Sequence, residues 1–283
     1  MDRLKMARLL FLAAACVIAA PALCGSSESS TFFIDWGRCE LSVSGSAEIT
    51  PKESGNVLAW QYGAALAAQK EILRGFIRSL DRLRVGAFDT ARDVLLEEPV
   101  KNENIYRFVS EYRRREVFYS DRLVKIKAVF PFFGETGFVP LFIEAGRSRG
   151  SFPGYAEFVH SISFTGLVVD ARGLGRKPAI APRIFDGEHM LIYSIDTVRT
   201  ESFAKWGGVR YTKDPDYRGI EPRVGANPLR LVALKDEKLI ETDIALATSD
   251  AMTLMQDVET RANLEQGKVI IIIDAAGLEE AEK

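Results

Sequence analysis

Asp170, Arg172, Gly173 and Gly175 stand together in FTGLVVDARGLGRKPAIAPRIF, Phe164 to Phe185, with Arg176, Lys177 and Arg183 close behind. A carboxylate, a guanidinium and a Gly-Leu-Gly turn at this spacing suit three roles: an anion cradle, an acid–base pair, or a polar corner of a fold. A dinucleotide cradle needs G-x-G-x-x-G at a strand-to-helix turn, where free amides and the helix dipole meet the phosphate. Gly173-Leu174-Gly175 has no third glycine, and Pro178 and Pro182 follow where the helix would begin. The residue before each proline is driven to extended geometry. No G-x-x-x-x-G-K-[ST] occurs either.

Acid–base work fits no better. Asp170 and Arg172 are two apart, so on a strand they share a face. A neighbouring guanidinium lowers a carboxyl pKa, whereas a general base for neutral pH needs it raised. A two-carboxylate hydrolysis would pair Asp170 with Asp186 or Glu188, but sequence spacing fixes no distance between them. Cys39 has no histidine beside it, and no G-x-S-x-G is present. Cys39, His160 and His189 are too scattered to predict a zinc site. The remaining reading is structural. Gly173 and Gly175 release the chain from a buried strand, Pro178 and Pro182 stiffen its return, and Asp170 and Arg172 satisfy backbone groups at the strand end. No catalytic residue, cofactor or metal is expected.

The elements around this stretch are predicted from periodicity. Cys39–Ile49 alternates as a strand, and Asn56–Arg82 carries a helical stripe from Leu58 and Tyr62 to Phe76, Ile77 and Leu80. LRVGAF is a short strand, Ile105–Arg115 a helix ending in the basic run Arg113-Arg114-Arg115, and Arg122–Phe132 an amphipathic strand with Val124, Ile126, Ala128 and Phe130 on one face. Between 132 and 155 the chain is rich in rings and glycines, and Phe138–Ile143 reads as one more strand. These rings either complete a core or form an aromatic surface; Phe133, Phe138, Phe142, Phe152 and Tyr155 are the candidate interface residues.

Farther on, ISFTGLVVDA is apolar enough for a sheet centre. RIFDGEHMLIY reads as a hairpin turning at Asp186-Gly187, and Leu229–Leu234 with Leu239–Leu246 as another. Thr248-Ser249-Asp250 caps a helix running to about Leu264 with Ala251, Leu254, Met255, Val258 and Ala262 inward, and Gly267 stops it. KVIIIID, with its β-branched run, is buried on both faces, and GLEEAEK is a charged, frayed tail.

Composition limits the partners. The chain has 283 residues, 47% hydrophobic and 27% charged, with a formal net charge of −2. These values speak against bulk disorder and a multi-span membrane protein, and a nucleic-acid partner is disfavoured by the missing cationic field. The first residues have Arg3, Lys5 and Arg8, an apolar run from Leu9 to Ala20 and then small residues. That is the pattern of a secretory signal, and it is too short for a bilayer span. Export with cleavage near Ala22 or Cys24 is expected, placing the protein in the periplasm. The alternative is an outer-membrane lipoprotein acylated at Cys24, although Leu23 stands where a lipidation signal carries a small residue. Cys39 can then be the only thiol left, so no disulfide framework is implied.

FTGLVVDARGLG followed by KPAIAPRIFD resembles the T-G-L-[IV]-[IV]-D-A-R-G-L signature of bacterial envelope lipoproteins and flagellar assembly proteins T and P. SGSAEI, ALAAQKEILRGFIRSLDRLRV, RVGANPLRLVAL, TDIALATSDAMTL and GKVIIIID resemble further blocks of that family in the same order. The resemblance implies an α+β fold of two lobes, each a helix packed on a small, mostly antiparallel sheet, the first lobe dodecin-like. It implies a non-enzymatic, periplasmic structural or assembly protein of the cell envelope, associated with a ring or collar of the flagellar motor. Its partners would be further copies of itself and envelope or flagellar components, with membrane contact only through a lipidated Cys24. Gly166, Asp170, Ala171, Arg172, Gly173 and Pro182 fall on the signature as architecture. The implied organisation is a signal over 1–24, a linker over 25–37, a first lobe over 38–155 with its long helix over 56–82, a second lobe over 156–276 and a tail over 277–283. The alternatives are a periplasmic hydrolase using Asp170 and a small-ligand-binding protein. The segments 132–155 and 198–221 match no block.

Overall fold

The computed structural model describes residues 29–51, 56–112, 115–146, 152–153, 162–216 and 221–281. The signal, Cys24, Tyr155 and His160 lie outside them. In chain order the elements are β1 (Ser29–Asp35), β2 (Glu40–Glu48), α1 (Val57–Ser79), α2 (Ala91–Glu97), α3 (Pro99–Glu111), β3 (Arg115–Tyr119), β4 (Leu123–Pro131), β5 (Leu167–Asp170), β6 (Ile184–Phe185), β7 (Leu191–Tyr193), α4 (Thr200–Trp206), β8 (Arg210–Thr212), α5 (Glu221–Val224), β9 (Leu229–Val232), β10 (Ile244–Ala245), α6 (Thr248–Met255), α7 (Val258–Glu265), β11 (Val269–Ile272) and β12 (Glu279–Ala281). The fold class is α+β.

The first sheet is antiparallel, in the order β12-β1-β2-β4-β3. Alternation along β4 works as the sequence predicts: Val124, Ile126, Ala128 and Phe130 are buried, with Lys125 and Lys127 on the wet face. Helix α1 crosses β1, β2 and β4 on the buried side, its first turn capped by the Asn56 side chain, which accepts from the Ala59 amide at 2.9 Å. Its C-terminal half is sunk into the sheet through Ile72, Gly75 and Phe76, whereas Leu58 and Tyr62, expected on the same buried stripe, are exposed.

Two strands lie where a linker and a frayed tail are expected. Ser29–Asp35 is β1, and its alternation of Phe32 and Ile34 inward was hidden behind the serines that precede it. The C-terminal Glu279–Ala281 is β12, paired with β1. Its Glu280 is held by an ion pair to Arg84 and accepts from the Trp36 indole at 3.3 Å, which fixes this strand to the rest of the fold. Residues 83–88 form no ladder, only one bridge from Arg84 to Thr90, and Val139–Leu141 is a 3-10 turn rather than a strand.

The second sheet corrects an expectation. All three of its pairings are parallel, in the order β8-β11-β5-β9, where a mostly antiparallel sheet is predicted. The apolar runs of β5 and β11 occupy its centre, covered on both faces, as continuous Val/Ile strands do in parallel sheets. Leu229–Leu234 and Leu239–Leu246 do not form a hairpin ladder. A single bridge joins Leu234 to Ala245, and the two strands go to different sheets: β9 beside β5, and β10 beside β6 in a small sheet of order β10-β6-β7. The β6–β7 hairpin forms as predicted. The helix predicted from Thr248 to Leu264 is two helices, because Asp257 caps the second: its carboxylate accepts from the Thr260 amide at 2.7 Å and the Thr260 hydroxyl at 2.8 Å. Val258, expected inward, is exposed.

One buried cluster runs from Phe32 on the first sheet to Ile271 on the second. The rings of the 132–155 segment take part in it. Phe138 and Phe142 are 0% and 1% exposed, so they are core residues rather than interface residues. Phe138 meets Phe76, Phe132 and Phe142 at centroid distances of 5.1, 5.6 and 6.2 Å. Phe133 is half-buried, edge-on to Phe203 of α4 at 5.3 Å, and Phe152 packs against the same core. These rings join α1, β4 and α4 into one apolar body.

Candidate functional site

The parallel pairing gives Asp170 a significance that an antiparallel sheet would not. Asp170 ends β5 in register with Ile272 on β11 and Val232 on β9, and Ile272 is in register with Thr212 on β8. All four strands thus finish on one edge, and the carboxyl edge of a parallel sheet is where open α/β folds place ligands. The residues on that edge decide whether this one does.

They bond to each other. The Arg172 guanidinium donates to both Asp170 oxygens, Nε to Oδ1 at 2.9 Å and Nη2 to Oδ2 at 2.5 Å, and the Arg172 amide donates to Oδ1 at 3.2 Å. These hydrogen bonds hold the Asp170 carboxyl below its ordinary value despite some burial. Gly173, at φ +74°, donates its amide to both oxygens of Asp274, each at 3.1 Å. Asp274 therefore clamps the turn after β5 to the end of β11. The Ala171 amide donates to the Ile272 carbonyl at 2.9 Å, and the Ala171 side chain is fully buried.

The strand's return is laced equally tightly. Arg176 is buried and donates to the carbonyls of Ile240 and Asp236 at 3.0 and 3.4 Å. The Tyr211 hydroxyl accepts from the Ala179 amide and donates to the Ala179 carbonyl, both at 3.1 Å. Ile180 and Ala181 donate to the carbonyls of Arg84 and Val85 at 3.0 and 2.7 Å, which joins this segment to the chain after α1. Arg183 grips the buried Asp243 with two bonds of 3.2 and 2.6 Å. Pro182 is buried. At the other end, a Cβ on Gly166 would stand 2.8 Å from the Lys268 carbonyl and 2.9 Å from Cα of Val224, so this position admits α5 against the start of β5 only as glycine.

The candidate carboxylate partner is committed elsewhere. Asp186 is 1% exposed, and its Oδ1 accepts from the amides of Glu188 and Met190 at 2.9 and 2.8 Å to shape the β6–β7 turn. His189, at φ +63°, sits 2.7 Å from Asp236 through Nε2. Cys39 is buried, and burial pushes its thiol pKa up, away from the thiolate a nucleophile needs. Among the described residues no cluster of His, Cys, Asp and Glu is placed to hold a metal ion, and no helix is long and apolar enough to cross a membrane.

Two residues of this region, Asp274 and Arg223, lie outside the sequence expectations. Asp274 has a readable signal, since VVDARG at the end of β5 and IIDAAG at the end of β11 share one pattern. Arg223 has none. It is 7% exposed, with no carboxylate paired to it among the described residues; it donates to the carbonyls of Gly267, Trp206 and Gly207 at 2.8, 2.7 and 2.8 Å, over the Trp206 ring. Burial draws its pKa down to about 10, which leaves it charged at neutral pH.

Acid should expose the Asp170 contribution. Folding lowers this carboxyl below 3.8, so the unfolded chain binds the proton more readily. Its contribution to stability is complete above 3.8, shrinks as pH falls toward the folded value and is gone below both. Asp93 and Asp236 are lowered too, so only the difference between wild type and Asp170→Asn isolates it. Thermal melts from pH 7 to pH 2 should show the two curves apart at neutral pH and converging in acid; a constant gap would refute the assignment.

The stretch from Gly166 to Ala275 matches a family model described as the second domain of Treponema pallidum Tp0624. The match takes in every strand of the parallel sheet and of the small sheet, and none of the five-stranded sheet. No curated protein matches the chain. Over residues 166–275, then, the chain is similar to the second domain of Tp0624, and the Asp170–Arg172–Asp274 corner lies inside that similarity.

Proposed function

We propose that this chain is a non-enzymatic assembly protein of the bacterial cell envelope, exported to the periplasm and working by surface complementarity. The T-G-L-V-V-D-A-R-G-L resemblance supports a flagellar-motor ring or collar as its setting. The observation that carries the reading is the contrast between two edges of the molecule. The polar signature is taken up by internal bonds, which leaves Asp170 a poor base. The outer strand β3, in contrast, is exposed at every position and has only β4 beside it among the described residues.

Val117, Phe118 and Tyr119 on that strand are 39%, 54% and 59% exposed. An edge of this kind offers unpaired backbone donors and acceptors together with apolar side chains, which is the surface that strand addition uses. Further copies of the chain, or envelope neighbours, would extend the sheet there. A photo-crosslinker at Phe118 in the full chain, in cells, tests this beside a motility assay. Cross-linked adducts that disappear in Val117→Lys, with melting unchanged and motility impaired, are expected. A deletion strain that swims normally, with no adduct at Phe118, would refute the proposal.

A further inference from the structure

We propose that the hollow between α1, α3 and β4 binds a single-chain anionic amphiphile of about ten heavy atoms, such as a medium-chain carboxylate. The inference stands apart from the assembly role and does not depend on it. It begins with a size mismatch on β4. Its inward row is Val124, Ile126, Ala128 and Phe130, and at Ala128 only a methyl group faces the helices. Ala128 lies opposite Arg115 on β3, which is exposed and lines both this hollow and an adjacent one beside Glu40 and Glu116. A cavity of about 320 Å³ opens there, at the small end of the range for small-molecule sites.

Its chemistry divides by depth. Ile72, Val109, Ala128 and Phe130 supply a buried, apolar floor. Lys70 and Arg115 also line it, and both are exposed. No carboxylate is among the lining residues; Glu40 and Glu116 lie in the adjacent hollow that shares Arg115. Arg115 thus brings a charge to the mouth of an apolar hollow. A hydrocarbon alone would leave both cations unused, and a cationic amphiphile would be repelled. At roughly 30 Å³ per water-sized volume, the space holds about ten such units, which suits an eight-carbon chain with a carboxylate head.

Calorimetric titration of the full chain with octanoate, octyl glucoside and octyltrimethylammonium tests the site. Octanoate should bind one per chain with a Kd on the order of 1 mM or tighter, in the range open to so small a ligand. Octyl glucoside should bind at least about tenfold more weakly, and the cationic amphiphile more weakly still. Lys70→Glu with Arg115→Glu, both on exposed positions, should cost about tenfold in octanoate affinity and leave the melting temperature unchanged. Ala128→Met, which fills the hollow from its floor, should abolish binding. The proposal is overturned if octanoate shows no saturable binding at about ten times the expected Kd, if the charge-reversed protein binds it equally well, or if a folded Ala128→Met protein does.

Discussion

Arg223→Ala should lower the unfolding free energy by about 4 kcal/mol, a large share of the 5–15 kcal/mol typical of a folded domain. The guanidinium is the common donor to three carbonyls, those of Trp206 and Gly207 at the end of α4 and of Gly267 before β11. Removing it strands these acceptors in the interior, and each unsatisfied buried group costs roughly 1–3 kcal/mol, less where water enters. Gly207 and Gly267 are both at positive φ, +80° and +69°, so the two turns that Arg223 joins are shapes the chain adopts only with glycine there. Lysine keeps the charge but not the fork, so Arg223→Lys should recover less than half of the loss. Urea unfolding reads both values. A loss under about 1 kcal/mol for the alanine variant would mean that water replaces the guanidinium and that the buried cation is not what joins α4 to β11.

Gly45→Val should cost about 3 kcal/mol, and Gly63→Ala should have the opposite sign. Gly45 lies on β2 beneath α1. A Cβ there would stand 2.4 Å from the Ala68 carbonyl oxygen and 2.9 Å from the Ile72 nitrogen, both helix backbone, which cannot turn aside as a side chain can. The helix must lift off the sheet, and the contacts of Ile72 and Phe76 loosen with it. Gly63 on α1 has nothing within 4 Å of where its Cβ would stand. Alanine there gains helix propensity worth up to about 1 kcal/mol without a clash. Opposite shifts in urea midpoint from two glycine substitutions 18 positions apart would establish that the helix–sheet distance, rather than glycine content, sets stability here. A tolerated Gly45→Val would refute that close approach.

Both effects depend on partners far away in the chain, and the same distinction separates what was legible in the sequence from what was not. The strand β4 and the course of α1 were readable because alternation and helical periodicity are local, although the helix stops at Ser79 rather than Arg82. The buried character of β5 and β11 was readable from their apolar runs. Their parallel direction was not, since the same composition suits a central strand of either kind. The Leu229–Leu246 hairpin failed for a related reason: Lys235-Asp236-Glu237-Lys238 makes a good turn, but β5 and β6 compete for the flanking strands and take one each. Asp257 looked like a mid-helix residue until its carboxylate was seen capping α7. Glu280 looked like a solvated tail until Arg84 and Trp36 were found beside it. For the polar corner, Asp170 and Arg172 were legible as a pair from their spacing. Asp274, which clamps the turn from the neighbouring strand, is signalled by the repeated D-A-x-G pattern, but its bond to Gly173 required the sheet order.

The placement of glycines and prolines predicts a rigid bend, and the bonds around Gly173, at φ +74°, have that character. The enzymatic alternative would need Asp170 released from Arg172 and raised toward neutral pKa, whereas its partners lower it. The small-ligand alternative is better served by the hollow over Ala128 than by this edge.

The most direct measurement is thermal unfolding of Asp170→Ala in the full chain, beside its cross-linking yield through β3 at a temperature where the variant is still folded. If the corner is scaffolding, the melting temperature falls by about 3 °C and the folded protein cross-links as well as wild type. Wild-type melting together with lost cross-linking, or a catalytic turnover that the substitution abolishes, would make Asp170 a contact or reactive group and contradict the account.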